Sequence, residues 1–324
     1  MRVFINGFGR IGRSVLRAFA KDPAHWPGLE IVGINDIAAE EMRAYLFEYD
    51  SVFGAWPGEV RLNDGALVVD GRRYPLTRAA DLSRLDLSGV DLVMECTGRA
   101  DDAQVAAQGL AAGAGRVLIS GPSRAAALTV VLGANDGLLR DQQIVSNASC
   151  TTNALAPLAR LLDENFGIVT GSMTTIHCYT GSQPTVDAPA ADFARSRAAA
   201  LSMVPTTTSA QRLLDIVLPG IAGRIAGSAV RVPVASVSAV DLAVMTQRPA
   251  TAQAVNAVFR AAGGVIGATD TALVSSDLRA RAESVVMACP ETRVTVGGML
   301  RVFGWYDNEW GFANRMLDVA LRMG

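Results

Sequence analysis

The sequence is poor in histidine and cysteine, has no long apolar run and carries no marked excess of one charge. Among 324 residues there are two histidines and four cysteines, and the formal net charge is -2. So few histidines, with no cluster of thiols, exclude a histidine-rich metal site. The balanced charge gives no reason to expect nucleic acid or an anionic membrane as a partner. The longest apolar stretches are interrupted well before bilayer-spanning length.

The cysteines at positions 96, 150, 178 and 289 indicate a reducing compartment. They form no C-x-x-C pair and are too sparse for a disulfide scaffold. We therefore expect a cytoplasmic protein. The first residues already have the pattern of a strand that enters a glycine turn, so we expect no signal or transit peptide. The length favours two domains, and half of the residues are apolar, which suffices for large cores.

The first half of the chain alternates apolar runs with helical patterns. Near-continuous apolar runs predict buried strands at 2–6, 29–36, 90–98 and 115–120. Helical periodicity follows at 10–21, 39–48 and 101–113, and short hairpin strands are predicted within 58–76. This alternation predicts an α/β fold, a doubly wound Rossmann-type parallel sheet that is covered on both faces.

The second half has a different pattern. A helix is predicted at 150–165, and long alternating strands are predicted at 168–180, 228–247 and 292–306. Further helices are predicted at 251–262 and 309–323, so this half is α+β with a mainly antiparallel sheet. Residues 181–200 are rich in alanine and proline and are expected to form a long irregular loop, which is usually functional or interfacial.

A glycine-rich turn follows the first predicted strand. Gly7, Gly9 and Gly12 stand between a strand and a helix, and Asp36 ends the next strand. In this setting glycines let the backbone approach a pyrophosphate, and the carboxylate binds the adenosine ribose. Asp36 would also repel a ribose phosphate, which favours NAD over NADP. An ordinary tight turn, and a helix cap at Asp36, are the alternatives.

Two later strands also end in small polar residues. Thr97-Gly98 and Ser120-Gly121 follow predicted strands, and ligands of doubly wound sheets lie at such ends. Plain turns explain these positions equally well.

Cys150 has an unusual setting for a cysteine. It begins the predicted helix at 150–165 directly after Ser149, which is a plausible N-cap, and Thr151 follows it. Unpaired N–H groups and the dipole at a helix start favour the thiolate, and such polar neighbours are costly to bury in a core. His177 is by default a hydrogen-bonded core residue. It becomes a general base only if the fold brings it beside Cys150.

Long segments of the sequence match one family from end to end. They are INGFGRIGR (5–13), GIND (33–36), ECTG (95–98), SNASCTTN (146–153), MTTIH (173–177), RAAALSMVPTTT (197–208), AVRVP (229–233), SAVDL (238–242) and WYDNEWGFANR (305–315). In these segments the chain resembles the phosphorylating glyceraldehyde-3-phosphate dehydrogenases. The resemblance implies NAD-dependent oxidation of D-glyceraldehyde 3-phosphate to 1,3-bisphosphoglycerate, a step of glycolysis and gluconeogenesis.

The resemblance also implies a role for each matching residue. Cys150 matches the nucleophile that forms a thiohemiacetal and then a thioester, and His177 matches the base. Thr180 and Arg231 match the substrate-phosphate site. The matches to the inorganic-phosphate site are Ser149, Thr151 and Thr208, with Arg195 as a nearby anion-binding arginine. The matches to cofactor contacts are Asn6, Arg10, Ile11, Arg78, Ser120 and Asn308.

The family organisation implies an NAD-binding domain at 1–149, a catalytic domain at 150–308 and a C-terminal helix at 309–324 that packs back on the first domain. It also implies a homotetramer, for which the loop at 181–200 suggests a packing surface.

The chain departs from the family pattern at several positions. Ala154 replaces a second cysteine, Ser209 replaces a glycine beside the attacking-phosphate site, and Ala188 replaces a bulky residue that helps to exclude NADP. The loop has Ser182 and Ala190-Ala191, and residues 50–54 read DSVFG. These departures leave NADP, and erythrose 4-phosphate as a substrate, open. A non-catalytic NAD-binding regulator is a further alternative, against which the intact Cys150, His177 and Arg231 argue.

Overall fold

A computed structural model describes residues 1–190 and 192–324, so Ala191 of the alanine-rich loop lies outside the described residues. The chain divides into two compact units. Unit 1 comprises Met1–Val130, Asp136–Ala148 and Phe312–Gly324. Unit 2 comprises Val131–Asn135 and Ser149–Gly311.

Unit 1 contains a nine-stranded sheet. Its strands are β1 (Arg2–Asn6), β2 (Glu30–Asn35), β3 (Val60–Asn63), β4 (Ala66–Val69), β5 (Arg72–Thr77), β6 (Leu92–Glu95), β7 (Arg116–Ile119), β8 (Leu128–Thr129) and β9 (Ile144–Ser146). The strand order is β3-β4-β5-β2-β1-β6-β7-β9-β8. From β5 to β8 all neighbours are parallel, and β3, β4 and β5 form an antiparallel edge. The predicted Rossmann-type sheet is therefore confirmed.

Apolar burial explains the elements of unit 1. Its helices are α1 (Arg10–Lys21), α2 (Glu40–Glu48) and α3 (Ala103–Ala111). All residues of β4 and β6 are buried, as expected for strands covered on both faces. Val15 and Leu16 of α1 are fully buried, at the helical spacing read from the sequence.

Unit 2 contains a second sheet. Its strands are β10 (Ile168–Cys178), β11 (Val204–Thr206), β12 (Ile225–Val232), β13 (Ser238–Thr246), β14 (Ile266–Thr269), β15 (Val285–Ala288), β16 (Arg293–Val294) and β17 (Leu300–Tyr306). The order is β11-β12-β10-β13-β17-β15-β14, and β16 pairs with β17. Most neighbours are antiparallel, as predicted, but β10 pairs with β12 and β14 pairs with β15 in parallel. The helices are α4 (Cys150–Phe166), α5 (Ala210–Val217) and α6 (Ala252–Ala262).

Two strand predictions in unit 2 are wrong in extent. The segment 228–247 divides into β12 and β13 because Pro233 follows β12 and cannot donate to a ladder. The segment 292–306 divides into β16 and β17 at Gly298, whose φ of 85° suits a turn. The sequence analysis also missed α5.

The last helix, α7 (Trp310–Met323), contributes its residues from Phe312 onward to unit 1. There the Trp26 indole Nε1 donates to Asp318 Oδ1 over 2.7 Å, and Arg322 pairs with Asp136. No helix within the described ranges is long and apolar enough to cross a bilayer.

Candidate active site

A groove of about 770 Å³ lies at the carboxyl ends of the parallel strands of unit 1. Strand ends β1, β2 and β6 supply its floor, the position at which doubly wound sheets bind nucleotides. Its lining residues are Asn6, Gly7, Gly9, Asn35, Asp36, Ile37, Ala79, Ala80, Cys96, Thr97, Arg99 and Gln108.

Each of the three glycines of the turn is required, or favoured, for a different structural reason. Gly7 has a φ of +92°, and a Cβ there would lie 2.6 Å from Thr97 N. A Cβ at Gly12 would lie 2.1 Å from the Gly7 carbonyl oxygen, so this glycine lets α1 approach the turn. A Cβ at Gly9 would meet no heavy atom within 4 Å. The fold therefore does not require glycine at position 9. Its lack of a side chain instead keeps the groove open to a ligand.

The Asp36 carboxylate, directly after the C-terminal end of β2, is held by backbone amides. Its Oδ2 accepts from Phe8 N over 2.6 Å, and its Oδ1 accepts from Ala38 N over 2.8 Å. The carboxylate thus joins the glycine turn to the end of β2. It remains a groove-lining acceptor of the kind that binds ribose hydroxyls.

A buried polar chain beneath the groove escaped the sequence analysis. Glu95 is 2% exposed and accepts from Asn6 Nδ2 and from Thr97 N. Asn35 Nδ2 donates in turn to Asn6 Oδ1 over 2.8 Å. Burial raises the pKa of Glu95, although the bonds from Thr97 and Asn6 oppose that rise. These contacts fix the side chains that form the groove floor.

Several predicted cofactor residues do not line this groove. Arg10 pairs with Asp50, and Arg78 Nε donates to the Ile37 carbonyl over 2.7 Å. The other predicted cofactor residues of unit 1 that do not line the groove are Ile11, Gly12, Gly98 and Ser120. Asn308 belongs to unit 2, where its Oδ1 lies 3.1 Å from Cys178 Sγ and 3.2 Å from Ser238 Oγ. Their cofactor roles remain predictions.

The structure brings Cys150 and His177 together in unit 2. Cys150 is the first residue of α4, and the N-cap Ser149 accepts from Thr152 N over 3.1 Å, as predicted. His177 is the penultimate residue of β10. Its Nε2 lies 3.6 Å from Cys150 Sγ. This is the spacing of a nucleophile–base pair before substrate tightens it.

A cavity of about 740 Å³ opens in front of this pair. Of the predicted phosphate residues it includes Ser149, Thr151, Arg195, Thr208 and Arg231. The cavity is also lined by Thr175, Thr207, Ser209 and Ala229, of which the sequence analysis noted only Ser209. Thr180 does not line it; its hydroxyl lies 3.0 Å from Ser182 Oγ.

Two arginines give the cavity its positive charge. Arg195 Nε donates to Thr206 Oγ1 over 2.6 Å, and Arg231 Nη1 donates to the Cys178 carbonyl over 2.9 Å. Within residues 1–190 and 192–324, neither guanidinium has a carboxylate among its hydrogen-bond partners. Guanidinium groups that lack acidic partners, next to hydroxyls, suit the oxygens of phosphate.

Burial controls the protonation of the pair. It raises the pKa of the Cys150 thiol, which Arg231 and the Thr151 N–H only partly oppose. Burial and then the Arg231 charge lower the pKa of His177 to about 4. Burial of the sulfur thus opposes the thiolate that the helix start favours, and the thiolate at Cys150 stays a prediction.

Tyr306 anchors the start of α4 to the sheet. Its hydroxyl lies 2.8 Å from both Thr151 Oγ1 and Thr175 Oγ1, and Thr175 Oγ1 donates to the Ala239 carbonyl over 3.0 Å. The Tyr306 ring also packs edge-on against His177, with centroids 6.1 Å apart. The motif WYDNEWG contained this tyrosine, but nothing in its spacing pointed to α4.

The chain matches two family models. One, described as the NAD binding domain of glyceraldehyde 3-phosphate dehydrogenase, matches residues 1–103. The other, described as the C-terminal domain of the same enzyme, matches residues 149–308.

Similar curated proteins are named glyceraldehyde-3-phosphate dehydrogenase. That of Xanthobacter flavus is 45% identical over 333 residues, which cover 100% of this chain and 98% of the relative. That of Cereibacter sphaeroides is 46% identical over 330 residues with the same coverage. That of Geobacillus stearothermophilus is 42% identical over 329 residues, 99% of this chain and 97% of the relative.

A dinucleotide-binding sheet, and a thiol beside an imidazole in a separate unit, define an NAD-dependent oxidoreductase that acts on an aldehyde. The chain belongs to the glyceraldehyde 3-phosphate dehydrogenase family.

Proposed function

We propose that this protein oxidises D-glyceraldehyde 3-phosphate to 1,3-bisphosphoglycerate, with inorganic phosphate as co-substrate and a thioester on Cys150 as intermediate. The observation that carries the proposal is one cavity in unit 2. There Cys150 Sγ lies 3.6 Å from His177 Nε2, and two arginines without carboxylate partners among the described residues line the same walls. The names of the relatives favour glyceraldehyde 3-phosphate over erythrose 4-phosphate.

The side chains suit a two-stage reaction. In the first stage Cys150 Sγ attacks the aldehyde carbon, and the thiol proton passes through His177 Nε2 to the aldehyde oxygen. His177 then removes the proton of the resulting hydroxyl while the aldehyde hydrogen leaves with its electron pair, and a thioester remains. NAD, when bound, supplies the acceptor for that hydrogen and its two electrons. In the second stage a phosphate oxygen bonds to the acyl carbon, the C–S bond breaks, and Cys150 is released.

The cavity offers positions for two phosphates. We assign Arg231, together with Thr180 from the resemblance, to the substrate phosphate. We assign the inorganic phosphate to the hydroxyl-rich part of the lining, namely Ser149, Thr151, Arg195 and Thr208. The Thr151 hydroxyl already forms a hydrogen bond with the Tyr306 hydroxyl. That bond sets how the Thr151 hydroxyl is oriented toward the phosphate.

The groove of unit 1 fits NAD. The amide-held Asp36 carboxylate suits the two hydroxyls of a ribose and opposes a 2′-phosphate, and the bare face of Gly9 leaves room for the pyrophosphate. The other groove residues we assign to NAD are Asn6, Gly7 and Thr97. Outside the groove lining, we propose the same role for Arg10, Ile11, Gly12, Arg78, Gly98, Ser120 and Asn308.

Initial rates with both aldehydes, with NAD or NADP, and with or without phosphate test this proposal. We expect phosphate-dependent NADH formation that is fastest with glyceraldehyde 3-phosphate. A rate that ignores phosphate would mean hydrolysis of the thioester instead.

Iodoacetate labelling separates the enzyme from a silent NAD-binding regulator. We expect Cys150 to react first, because it lines the open cavity beside His177, whereas Cys178 and Cys289 are buried and burial raises the pKa of Cys96 to about 12. Turnover should be lost as Cys150 is labelled. Equal labelling of all four cysteines would favour the silent binder.

We further propose that the protein is a cytoplasmic homotetramer. The loop region exposes large apolar side chains, with Phe193 96%, Leu201 84% and Met203 74% exposed. Such a cluster is usually covered by a partner. Light scattering coupled to size exclusion should give four times the 34.0 kDa chain mass, and a monomer at micromolar concentration would contradict the proposal.

A further inference from the structure

Asn308 lies where three neighbouring strands of unit 2 begin or end. Strand β10 ends at Cys178, β13 begins at Ser238, and Asn308 follows two residues after the end of β17. Strand β13 is antiparallel to both of the others, and Ser238 lies opposite Tyr306, the last residue of β17. The sheet therefore brings Cys178 and Ser238 to the side chain of Asn308, although 60 to 130 positions separate these residues in the sequence.

The amide oxygen of Asn308 accepts hydrogen bonds from two side chains. Cys178 Sγ donates to Asn308 Oδ1 over 3.1 Å, and Ser238 Oγ donates to the same oxygen over 3.2 Å. Ser238 Oγ also accepts from Cys178 N over 3.1 Å. Because this N–H occupies a lone pair of the hydroxyl, the hydroxyl proton is left for Asn308. All three residues are buried, so these bonds form away from bulk water.

The two donors fix which way round the Asn308 amide lies. In the observed orientation both donors meet a carbonyl oxygen, which is a strong acceptor. In the reverse orientation Nδ2 would face the sulfur of Cys178, a weak acceptor, and the hydroxyl proton of Ser238 would lose its acceptor. A buried polar group without a partner is costly, so the orientation with Oδ1 toward the two donors is the stable one.

The backbone around Asn308 is held by separate bonds. Asp307 Oδ1 accepts from Glu309 N over 3.0 Å and from Trp310 N over 2.8 Å. The other oxygen of this carboxylate, Oδ2, accepts from Ala280 N over 2.9 Å. These bonds fix the turn from β17 into α7. The position of Asn308 and the direction of its amide are therefore determined independently of each other.

The amide nitrogen is the free end of the Asn308 side chain. Within residues 1–190 and 192–324 Nδ2 donates to no protein acceptor, and it does not belong to the enclosed polar atoms that lack a partner, so it is open to solvent. An amide nitrogen carries two protons and accepts no hydrogen bond. Asn308 therefore offers only donors to a ligand. Of the two ends of a nicotinamide carboxamide, only the carbonyl oxygen can pair with it.

We propose, resting on the cofactor role proposed above for Asn308, that Cys178 and Ser238 are positioning residues for NAD binding. Their two hydrogen bonds turn the Asn308 amide so that its N–H groups alone meet the cofactor. The amide then selects the carbonyl oxygen of the carboxamide and rejects its nitrogen. Without the two donors the amide would occupy both orientations, and the bond to the cofactor would form in only one of them.

Calorimetric titration of the full-length protein with NAD and with ADP-ribose measures this effect without turnover. ADP-ribose lacks the nicotinamide ring and reports the rest of the cofactor site. In Cys178→Ala/Ser238→Ala the NAD Kd should rise about tenfold, and the ADP-ribose Kd should stay within about twofold. Cys178→Ser keeps a donor and should bind NAD like the wild type. Cys289→Ala removes another buried thiol of unit 2 and, as the matched control, should leave both constants unchanged.

A cycle with Asn308→Ala tests whether the two residues act through the amide. Asn308→Ala alone should raise the NAD Kd at least as much as the loss of both donors does. In the Asn308→Ala background, loss of Cys178 and Ser238 should change the NAD Kd no further, because no amide remains to be oriented. A further tenfold loss in that background would show that the two residues act by another route, and it would overturn the proposal.

Analogues of NAD test the direction of the amide in the wild type, where no variant has to fold. The 3-acetylpyridine analogue keeps the carbonyl oxygen and lacks the amide nitrogen, whereas the 3-aminopyridine analogue keeps a nitrogen and lacks the carbonyl. The first should bind within about threefold of NAD, and the second about tenfold more weakly. The reverse order would overturn the proposal.

Two further outcomes would also overturn the proposal. One is a double variant that binds NAD as tightly as the wild type does. The other is a wild type with equal affinity for NAD and for ADP-ribose, because Asn308 would then form no bond to the ring substituent. Because only binding constants are measured, these failures differ from a failure of the proposed function, which would appear as missing phosphate-dependent NADH formation.

Discussion

Gly12 and Gly9 offer a matched pair of substitutions that separates the fold of the nucleotide groove from its ligand. A Cβ at Gly12 would lie 2.1 Å from the Gly7 carbonyl oxygen and 3.3 Å from Ile5 Cγ2. Non-bonded heavy atoms normally stay roughly 3.5 Å apart, so Gly12→Ala must move α1 away from the turn. A Cβ at Gly9 has open space around it, and the Gly9 φ of -71° is one that alanine adopts freely.

The two substitutions should therefore affect different quantities: Gly12→Ala should lower the melting temperature, and Gly9→Ala should lower the affinity for NAD. Overpacking at Gly12 should cost about 1–3 kcal/mol, or a fall of roughly 3–10 °C in melting temperature. Gly9→Ala should keep the melting temperature or raise it slightly, because alanine restricts the unfolded chain. Its methyl group faces the groove, however, so NAD affinity should fall about tenfold, which is about 1.4 kcal/mol.

Differential scanning fluorimetry of the NAD-free proteins and calorimetric titration with NAD measure both quantities. The wild type is the reference for each. If Gly9→Ala lowers the melting temperature as much as Gly12→Ala, or if Gly12→Ala leaves it unchanged, the assigned division of labour between the two glycines is wrong.

Three further predictions concern single side chains. Cys150→Ser should retain NAD binding but lose the acyl adduct that intact-protein mass spectrometry detects during turnover; an adduct on the variant would contradict the mechanism. His177→Asn should slow turnover by about a hundredfold or more, since the group 3.6 Å from the sulfur no longer accepts a proton; unchanged steady-state rates would remove His177 from catalysis. The His177 pKa of about 4, against 6.5 for the free side chain, means that the unfolded chain takes up a proton that the fold resists. The free energy of unfolding, measured by urea titration, should thus decrease as pH falls from 6.5 to 4. In His177→Asn this decrease should be smaller, and a decrease as steep as in the wild type would contradict the prediction.

Local patterns predicted most elements of unit 1 and the start of α4, but not α5 or the division of two strand segments in unit 2. The strand–turn–helix context of Gly7, the cap at Ser149 and the apolar runs of β1 and β6 depend on neighbours within a few residues, so periodicity and turn chemistry reveal them. The α/β class of unit 1 follows from the same signals.

Contacts between distant segments could not be read in this way. Tyr306 meets Thr151 across 155 positions, and Glu95 meets Asn6 across 89. No pattern in a single sequence indicates which buried hydroxyl or amide will form a hydrogen bond with which distant group. The pKa of Cys150 also depends on tertiary structure, because burial of the sulfur raises it while the Thr151 N–H at the helix start lowers it.

One parallel strand pair inside a mainly antiparallel sheet carries His177 and three further residues that line the cavity of unit 2. In the β10–β12 register Thr175 lies opposite Ala229 and His177 lies opposite Arg231, and all four line the cavity. A slip of one residue would turn Arg231 to the other face of the sheet.

Parallel neighbours also require a long crossover, because the chain must return to the same end before the second strand begins. Residues 179–224, which form that crossover between β10 and β12, contain Arg195, Thr207, Thr208 and Ser209. The connection that parallel pairing demands is thus the segment that supplies these four lining residues of the cavity. The sheet order therefore places His177, Arg231 and the residues proposed to bind phosphate in a single cavity.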